Sequence, residues 1–236
     1  MLEVRGIDVY YGVVHAVRNV ALEVGDLECI GLFGPNGHGK STILKTISGL
    51  LRPAKGCIRF DGKKINDLAA NQIVDMGIVH VPEGRHLFSQ MTVQENLMLG
   101  AYTQRAWKKR DENLKKVSEI FPELEEKRND KCSTLSGGQR QMVAIGRGLM
   151  ASSKLLMLDE PTLGLAPILA KKILEKILEI KKTKETSILI VDENLTNVTK
   201  VAEKLYLIEN GTVSLSGSKE KVLKDKHVKR AYLGKL

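Results

Sequence analysis

Short apolar runs alternate with amphipathic stretches along the chain, and this alternation predicts strands and helices in turn. The strand-like runs are LEVRGIDV (2–9), VALEV (20–24), CIGLF (29–33), IVHVP (78–82), KLLMLDE (154–160) and ILIV (188–191). Segments 56–65 and 204–217 read as hairpins, with turns at Asp61-Gly62 and Asn210-Gly211. Residues 167–182 fit an amphipathic helix with Pro167 near its start. Strands that alternate with helices predict an α/β core with a mostly parallel sheet covered on both faces.

The stretch from 89 to 150 breaks this alternation because it is helical and charged throughout. We therefore predict a helical subdomain, 89–150, inserted within a single domain, 1–236. The first strands are expected to form a separate antiparallel β subdomain at the N-terminus.

Lys and Arg outnumber Asp and Glu by 37 to 28, which gives a net charge of +9. Such a charge suits nucleic acid, an anionic membrane surface or nucleotide phosphates, and it does not choose among them. The Lys-rich stretch 219–230 is expected to be a solvated face. Cys29, Cys57 and Cys132 have no metal-ligand spacing, which indicates a reducing compartment. With no signal peptide pattern and no apolar run near ~20 residues, the chain is expected to be soluble and cytoplasmic.

A glycine-rich segment follows the strand 29–33 and precedes a helical stretch. It fits the pattern GxxxxGK[ST], whose glycines let backbone N–H groups surround a phosphate while the next helix presents its N-terminus. Lys40 is expected to reach the β- and γ-phosphates of ATP, and Ser41 to ligate Mg²⁺. The nucleotide-binding residues predicted here are Gly34, Pro35, Asn36, Gly37, His38, Gly39, Lys40, Ser41 and Thr42.

The strand LMLDE (156–160) ends in two carboxylates at the edge of the sheet where α/β folds bind ligands. Asp159 is expected to hold Mg²⁺ through water. Glu160 is expected to orient or deprotonate the attacking water, with Lys40 as the second catalytic residue. Together with the phosphate loop, this predicts a P-loop NTPase core.

Leu135-Ser136-Gly137-Gly138-Gln139 precedes Asp159 by about twenty residues. With the phosphate loop and LMLDE in this order, the whole chain resembles the ATP-binding cassette family of ABC transporters. The resemblance implies that two cassettes pack head to tail with ATP between them. Ser136, Gly137, Gly138 and Gln139 would then contact the nucleotide of the other cassette, at the start of a helix spanning roughly 137–151.

Three further positions carry over from the family, two of them with departures. Tyr11 resembles the aromatic residue that stacks on adenine. Glu83 stands where most members have Gln, and a carboxylate there can still ligate Mg²⁺. Ala166 stands where the loop after the second motif usually ends in Asp, which weakens the expected contact across the dimer.

The strand ILIV runs into Asp192, Glu193 and Asn194, and most cassettes have a His at the position of Glu193. An ionised Glu near a γ-phosphate would be repelled, by about 4 kcal/mol at ~4 Å with an effective dielectric near 20. Glu193 is a predicted residue of the nucleotide site with three open readings, in which its side chain is protonated, turns away from the phosphate or belongs to a weak site. Of these we expect it to turn away. His38 lies in the variable part of the phosphate loop and is expected to face outward.

Local features such as VPEGRHLF, DEPTLGLAP and VDEN resemble the smaller ATPase subunit of branched-chain amino acid importers. That resemblance implies two membrane permease subunits, a second related ATPase or a copy of this chain, and an external solute-binding protein. The chain would lie at the cytoplasmic face of the membrane.

Three alternatives stay open at this point. A nucleic-acid ATPase of the same superfamily fits the charge, although this compact single cassette lacks coiled-coil insertions, so no nucleic-acid partner is expected. A nucleotide-binding scaffold with little catalysis fits Glu83 and Glu193. An importer for another polar solute, such as urea, would use a near-identical motor.

Overall fold

The computed structural model describes residues 1–234 of the chain. Its strands lie in two sheets, ordered β2-β1-β4-β5 and β10-β9-β3-β8-β7-β6. The strands are β1 (Leu2–Tyr11), β2 (Val14–Val24), β3 (Cys29–Phe33), β4 (Lys55–Phe60), β5 (Lys63–Lys64), β6 (Ile78–Val81), β7 (Leu155–Asp159), β8 (Ser187–Val191), β9 (Lys204–Glu209) and β10 (Thr212–Ser218).

The larger sheet forms the core that positions the site. Its pairs β9-β3, β3-β8, β8-β7 and β7-β6 are parallel, whereas β10 joins the edge antiparallel through the Asn210-Gly211 turn. Every residue of β3, β7 and β8 is buried, as expected for strands covered on both faces. The smaller sheet is antiparallel throughout. The predicted mostly parallel core, with an antiparallel β unit at its N-terminus, is therefore confirmed.

The helices cover both faces of the larger sheet. They are α1 (Lys40–Ile47), α2 (Ala70–Met76), α3 (Val93–Met98), α4 (Gln104–Lys108), α5 (Arg110–Ile120), α6 (Pro122–Glu126), α7 (Gly137–Met150), α8 (Pro167–Lys182), α9 (Leu195–Val201), α10 (Lys219–Lys224) and α11 (Lys226–Tyr232). One apolar cluster joins α1 to both sheets, and a second joins α3, α5, α7, α8 and α9 to the other face. None of the helices in residues 1–234 is long and apolar enough to cross a membrane.

The helical segment begins later and is more broken than its sequence pattern predicts. Its first helix starts at Val93, where Thr92 caps the helix by accepting a hydrogen bond from the Glu95 backbone N–H at 3.1 Å. Helices α3 to α7 all lie between 89 and 150. The proposed subdomain boundaries, and the single domain 1–236, stay predictions.

Two sequence expectations differ from the structure here. The first strands are longer than predicted, because β1 and β2 continue into an outer hairpin that pairs Tyr10 with His15 and Tyr11 with Val14. The Lys-rich stretch 219–230 is not only a solvated face. It forms α10 and α11, whose Val222 and Val228 are buried in the core.

Candidate functional site

The phosphate loop lies between β3 and α1, and its glycines have backbone conformations that other residues rarely adopt. Gly34 has φ 145°, and a Cβ there would lie 2.1 Å from the Ile208 carbonyl oxygen. Gly39, with φ 99°, immediately precedes the first residue of α1. The sequence therefore uses glycine where the loop presses against β9 and where the helix begins, which leaves the N-terminus of α1 facing the loop.

Lys40 is buried at the first position of α1. Its Nζ donates hydrogen bonds to the carbonyl oxygens of Gly34 at 2.9 Å and Pro35 at 3.2 Å. The same atom lies 3.3 Å from Glu160 Oε1. The ammonium group is thus fixed between the phosphate loop and the end of β7, and its contact with phosphate stays a prediction.

Asp159 and Glu160 bring two buried carboxylates to the end of β7. Ser41 Oγ donates to Asp159 Oδ1 at 2.9 Å, so two of the three predicted Mg²⁺ ligands are in contact. Burial raises the pKa of both carboxyls, opposed by the Ser41 hydrogen bond at Asp159 and by the Lys40 charge at Glu160. Glu83 raises the pKa of Asp159 further, because its negative charge is near.

A cavity of about 270 Å³ opens onto the phosphate loop. The residues that line it are Asn36, Gly37, Gly39, Lys40, Ser41, Thr42, Glu83, Glu160 and Leu163. Negative charge is therefore in excess, since the cavity wall carries two carboxylates and a single lysine, with Asp159 hydrogen-bonded to Ser41 behind it.

This donor set fits a magnesium–nucleotide complex. Within residues 1–234, no group of three or more His, Cys, Asp or Glu side chains is arranged to hold a metal ion unaided. Mg²⁺ in nucleotide sites is usually held by one or two carboxylates, with substrate phosphates and water completing its shell. Asp159 and Ser41 match that incomplete protein shell.

The Glu193 side chain contacts the phosphate loop. Its carboxylate accepts a hydrogen bond from Asn36 Nδ2 at 2.6 Å. Its backbone N–H donates to Glu160 Oε2 at 3.2 Å. Glu193, the second residue after β8, is therefore tied both to the loop and to the predicted catalytic carboxylate, and its expected turn away from bound phosphate stays a prediction.

Asp192 is a site-shaping residue that the sequence did not indicate. Its carboxylate is buried and accepts hydrogen bonds from Thr162 Oγ1 at 2.6 Å and from the Asn194 backbone N–H at 2.8 Å. Burial raises its pKa, against the effect of these bonds. Asp192 thus joins the loop after β7 to the loop after β8. Asp followed by Asn two residues later at a strand end is the only signal that could have indicated such a turn.

The His38 side chain also differs from its expected outward orientation. Its Nδ1 accepts a hydrogen bond from the Asn210 backbone N–H at 3.1 Å, and its carbonyl oxygen accepts one from Gly211 N at 3.2 Å. The phosphate loop is thereby attached to the turn between β9 and β10.

Tyr11 lies half exposed at the end of β1, with its hydroxyl 3.5 Å from Thr42 Oγ1. That places its ring beside the loop, where a base could stack.

The signature segment stands at the N-terminus of α7, apart from this cavity. Ser136 Oγ accepts from Gln139 N at 3.3 Å, while Gln139 Oε1 accepts from Ser136 N at 2.9 Å. This reciprocal capping leaves Gly137 in the first turn of an exposed helix end. Ser136, Gly137, Gly138 and Gln139 are all absent from the lining of this cavity in the described part of the chain. Ala166 lies just before α8 and caps it without a side-chain hydrogen bond.

Comparison with known proteins identifies the family to which these motifs belong. The model of the family described as ABC transporter matches residues 17–163. The chain belongs to the ABC transporter family. It is an ATP-binding subunit of this family and hydrolyses ATP, and the resemblance deduced from the motifs is confirmed.

The similar proteins extend over the full length of this cassette. It is 39% identical to the high-affinity branched-chain amino acid transport ATP-binding protein BraG of Pseudomonas aeruginosa, covering 99% of this chain and 100% of the relative. It is 32% identical to a probable branched-chain amino acid transport ATP-binding protein, LivF, of Archaeoglobus fulgidus, covering 99% of each. A solved ATP-binding cassette of an ABC transporter, in its ADP conformation, superposes with a TM-score of 0.85 at 30% identity, covering 100% of this chain and 99% of that one.

Proposed function

We propose that this chain is the ATP-hydrolysing motor of an importer for branched-chain amino acids. The observation that carries the proposal is the full-length similarity to BraG, together with an ATP site in which Lys40 contacts Glu160 and Ser41 contacts Asp159. A scaffold without catalysis would not need Lys40 and Glu160 held 3.3 Å apart.

In the proposed ATP site, the backbone N–H groups from Asn36 to Thr42 surround the phosphates, with Gly34 and Pro35 beginning the loop, and Lys40 neutralises the phosphate charge. Ser41, Asp159 and Glu83 would hold Mg²⁺, which when bound polarises the phosphate oxygens. Glu160 orients or deprotonates the attacking water. Its raised pKa suits a base, because a carboxylate in a dry site accepts a proton more readily than one in water.

The second half of the site comes from another cassette in this proposal. The exposed N-terminus of α7 presents Ser136 and the first amides of the helix, which together favour an anion. Two cassettes packed head to tail would bring this end onto a nucleotide held by the other phosphate loop. Because Glu193 adds negative charge beside that loop, the pair is best explained by two unequal sites, as in a heterodimer with a related ATPase.

A groove of about 290 Å³ between β6, α2 and α7 is the proposed contact for the membrane subunits. Leu50 and Tyr102 line it and are each 61% exposed, although both side chains are largely apolar. An apolar groove with such rims accepts an amphipathic helix. We infer that one of two permease subunits inserts a cytoplasmic helix here. The chain would then be held at the cytoplasmic face of the membrane, with the external solute-binding protein acting only through the permeases.

Uptake by cells that lack this gene tests the transported solute. Radiolabelled leucine and urea are supplied to the deletion strain, carrying either the wild-type gene or Lys40→Ala as a matched control that cannot hold the phosphates. We expect leucine uptake to be restored by the wild type alone. Restored urea uptake with unchanged leucine uptake would overturn the amino acid assignment while leaving the ATPase assignment intact.

A further inference from the structure

His80 places a buried nitrogen beside the predicted Mg²⁺ ligand without bonding to it. Its side chain is only 6% exposed, and its Nε2 lies 3.9 Å from Asp159 Oδ2. That nitrogen is buried and has no hydrogen-bond partner among the residues described. A buried polar atom without a hydrogen-bond partner costs about 1–3 kcal/mol of desolvation. The unpaired Nε2 of His80 therefore needs a physical explanation.

The other side of the imidazole is fixed by the helix that follows the phosphate loop. His80 Nδ1 lies 3.3 Å from the hydroxyl oxygen of Ser48, the residue that ends α1. His80 itself lies on β6, paired in register with Met157 of β7. The ring is thereby held at Nδ1 and through its strand, and its Nε2 faces the carboxylate oxygen that Ser41 does not occupy.

We propose that His80 is a positioning residue for Asp159, with Nε2 carrying the proton and donating to Oδ2. In this tautomer the Ser48 hydroxyl turns from the Lys45 carbonyl, 3.1 Å away, to donate to Nδ1, so both ring nitrogens have partners. The Lys45 carbonyl keeps its hydrogen bonds from the Leu50 and Leu51 backbone N–H groups. Asp159 is then held on one oxygen by Ser41 and on the other by His80. The inference rests on the proposed function, since it assumes that Asp159 ligates Mg²⁺.

A hydrogen-bond donor beside a metal-binding carboxylate matters because it orients the oxygen that binds the metal. Loss of a partner of this kind typically lowers metal affinity about 10- to 100-fold. A 3.9 Å separation is longer than a hydrogen bond, so the contact needs a small closing movement of Asp159 or His80. We expect that movement to accompany metal–nucleotide binding.

Three variants separate positioning from packing. His80→Leu fills the space without a donor, whereas His80→Gln places an amide N–H near the position of Nε2. His227→Leu is the matched control, because His227 also contacts a carboxylate, that of Glu209 at 2.9 Å. Mn²⁺ affinity is measured by electron paramagnetic resonance with the purified full chain and a non-hydrolysable ATP analogue, and thermal unfolding checks each fold.

We expect Mn²⁺ affinity to fall about 10- to 100-fold in His80→Leu, to recover largely in His80→Gln and to stay unchanged in His227→Leu. The ¹⁵N spectrum of the wild type with Mg²⁺ and the analogue should show His80 protonated at Nε2. Unchanged affinity in His80→Leu, or protonation at Nδ1, would overturn the inference. Asp159→Asn separates the two claims: if it also leaves Mn²⁺ affinity unchanged, the proposed metal site itself fails.

Discussion

Neutralising Glu193 should strengthen the ATP site. The change Glu193→Gln keeps an oxygen that can accept the Asn36 hydrogen bond, now 2.6 Å long, and removes one negative charge. Asn36 Oδ1 lies 3.5 Å from Lys40 Nζ, so Glu193 is separated from the phosphate-binding ammonium by the width of a single amide group. The carboxylate is close enough to repel bound phosphates.

The expected size follows from this geometry. At a separation of about 8 Å, two unit charges interact by ~2 kcal/mol with an effective dielectric of 20 and by ~0.5 kcal/mol with that of water. Glu193 is exposed, so the true value lies between these limits. If the repulsion grows in the transition state, turnover rises about 2- to 30-fold in Glu193→Gln.

Steady-state hydrolysis of Mg-ATP by the purified chain measures this effect at low and high salt. Glu160→Gln supplies the blank, and Glu175→Gln, which removes an exposed carboxylate from α8, is the matched control. We expect the gain in Glu193→Gln to shrink as salt screens the charge. A rate equal to wild type at low salt would refute the reasoning, and so would an equal gain in Glu175→Gln.

Three further changes test the remaining contacts. Burial raises the pKa of Asp159 above its ordinary value of 3.8. The folded state therefore loses stability as the pH rises from 3.8 to the pKa of the folded protein, because the carboxyl must then ionise while buried. Asp159→Asn should therefore raise the melting temperature without nucleotide at pH 7, and the gain should vanish in acid. Asp192→Ala should lower the free energy of unfolding by about 1–3 kcal/mol in urea melts, because it leaves the Thr162 and Asn194 donors unpaired. Ser136→Ala should cost about 1 kcal/mol in thermal unfolding, which Ser136→Thr should largely spare.

The elements that the sequence predicts best have a clear apolar pattern. Helix α8 has the predicted bounds 167–182, because its apolar residues recur at helical spacing on one face. Strands β3, β7 and β8 differ by no more than a residue or two, because an uninterrupted buried apolar run has few alternatives. The outer part of the β1–β2 hairpin was missed for the opposite reason. Tyr10, Tyr11 and Val14 are exposed there, and hydrogen bonding rather than burial holds them in strands.

The candidate site was also predictable only in part. Motif spacing predicts that Lys40, Asp159 and Glu160 lie together, since each stands at the end of a strand or the start of a helix, while their roles stay predictions. The Asn36–Glu193 contact joins positions 157 residues apart, and the spacing of residues along a chain carries no information about which way a terminal side chain rotates. The role of His80 beside Asp159 could not be predicted for another reason. A histidine within an apolar run is usually an ordinary core residue.

The C-terminal helices have a practical consequence for handling this protein. The Tyr232 ring packs edge-on against Phe33, the residue just before the phosphate loop, with ring centres 5.4 Å apart. Its hydroxyl donates to Glu209 at 2.9 Å, next to the turn that holds His38. Removing the segment after Ser218 would uncover the end of β3 to proteases and solvent. A shortened form of this protein should therefore keep Tyr232, because its ring supports the residue just before the nucleotide loop.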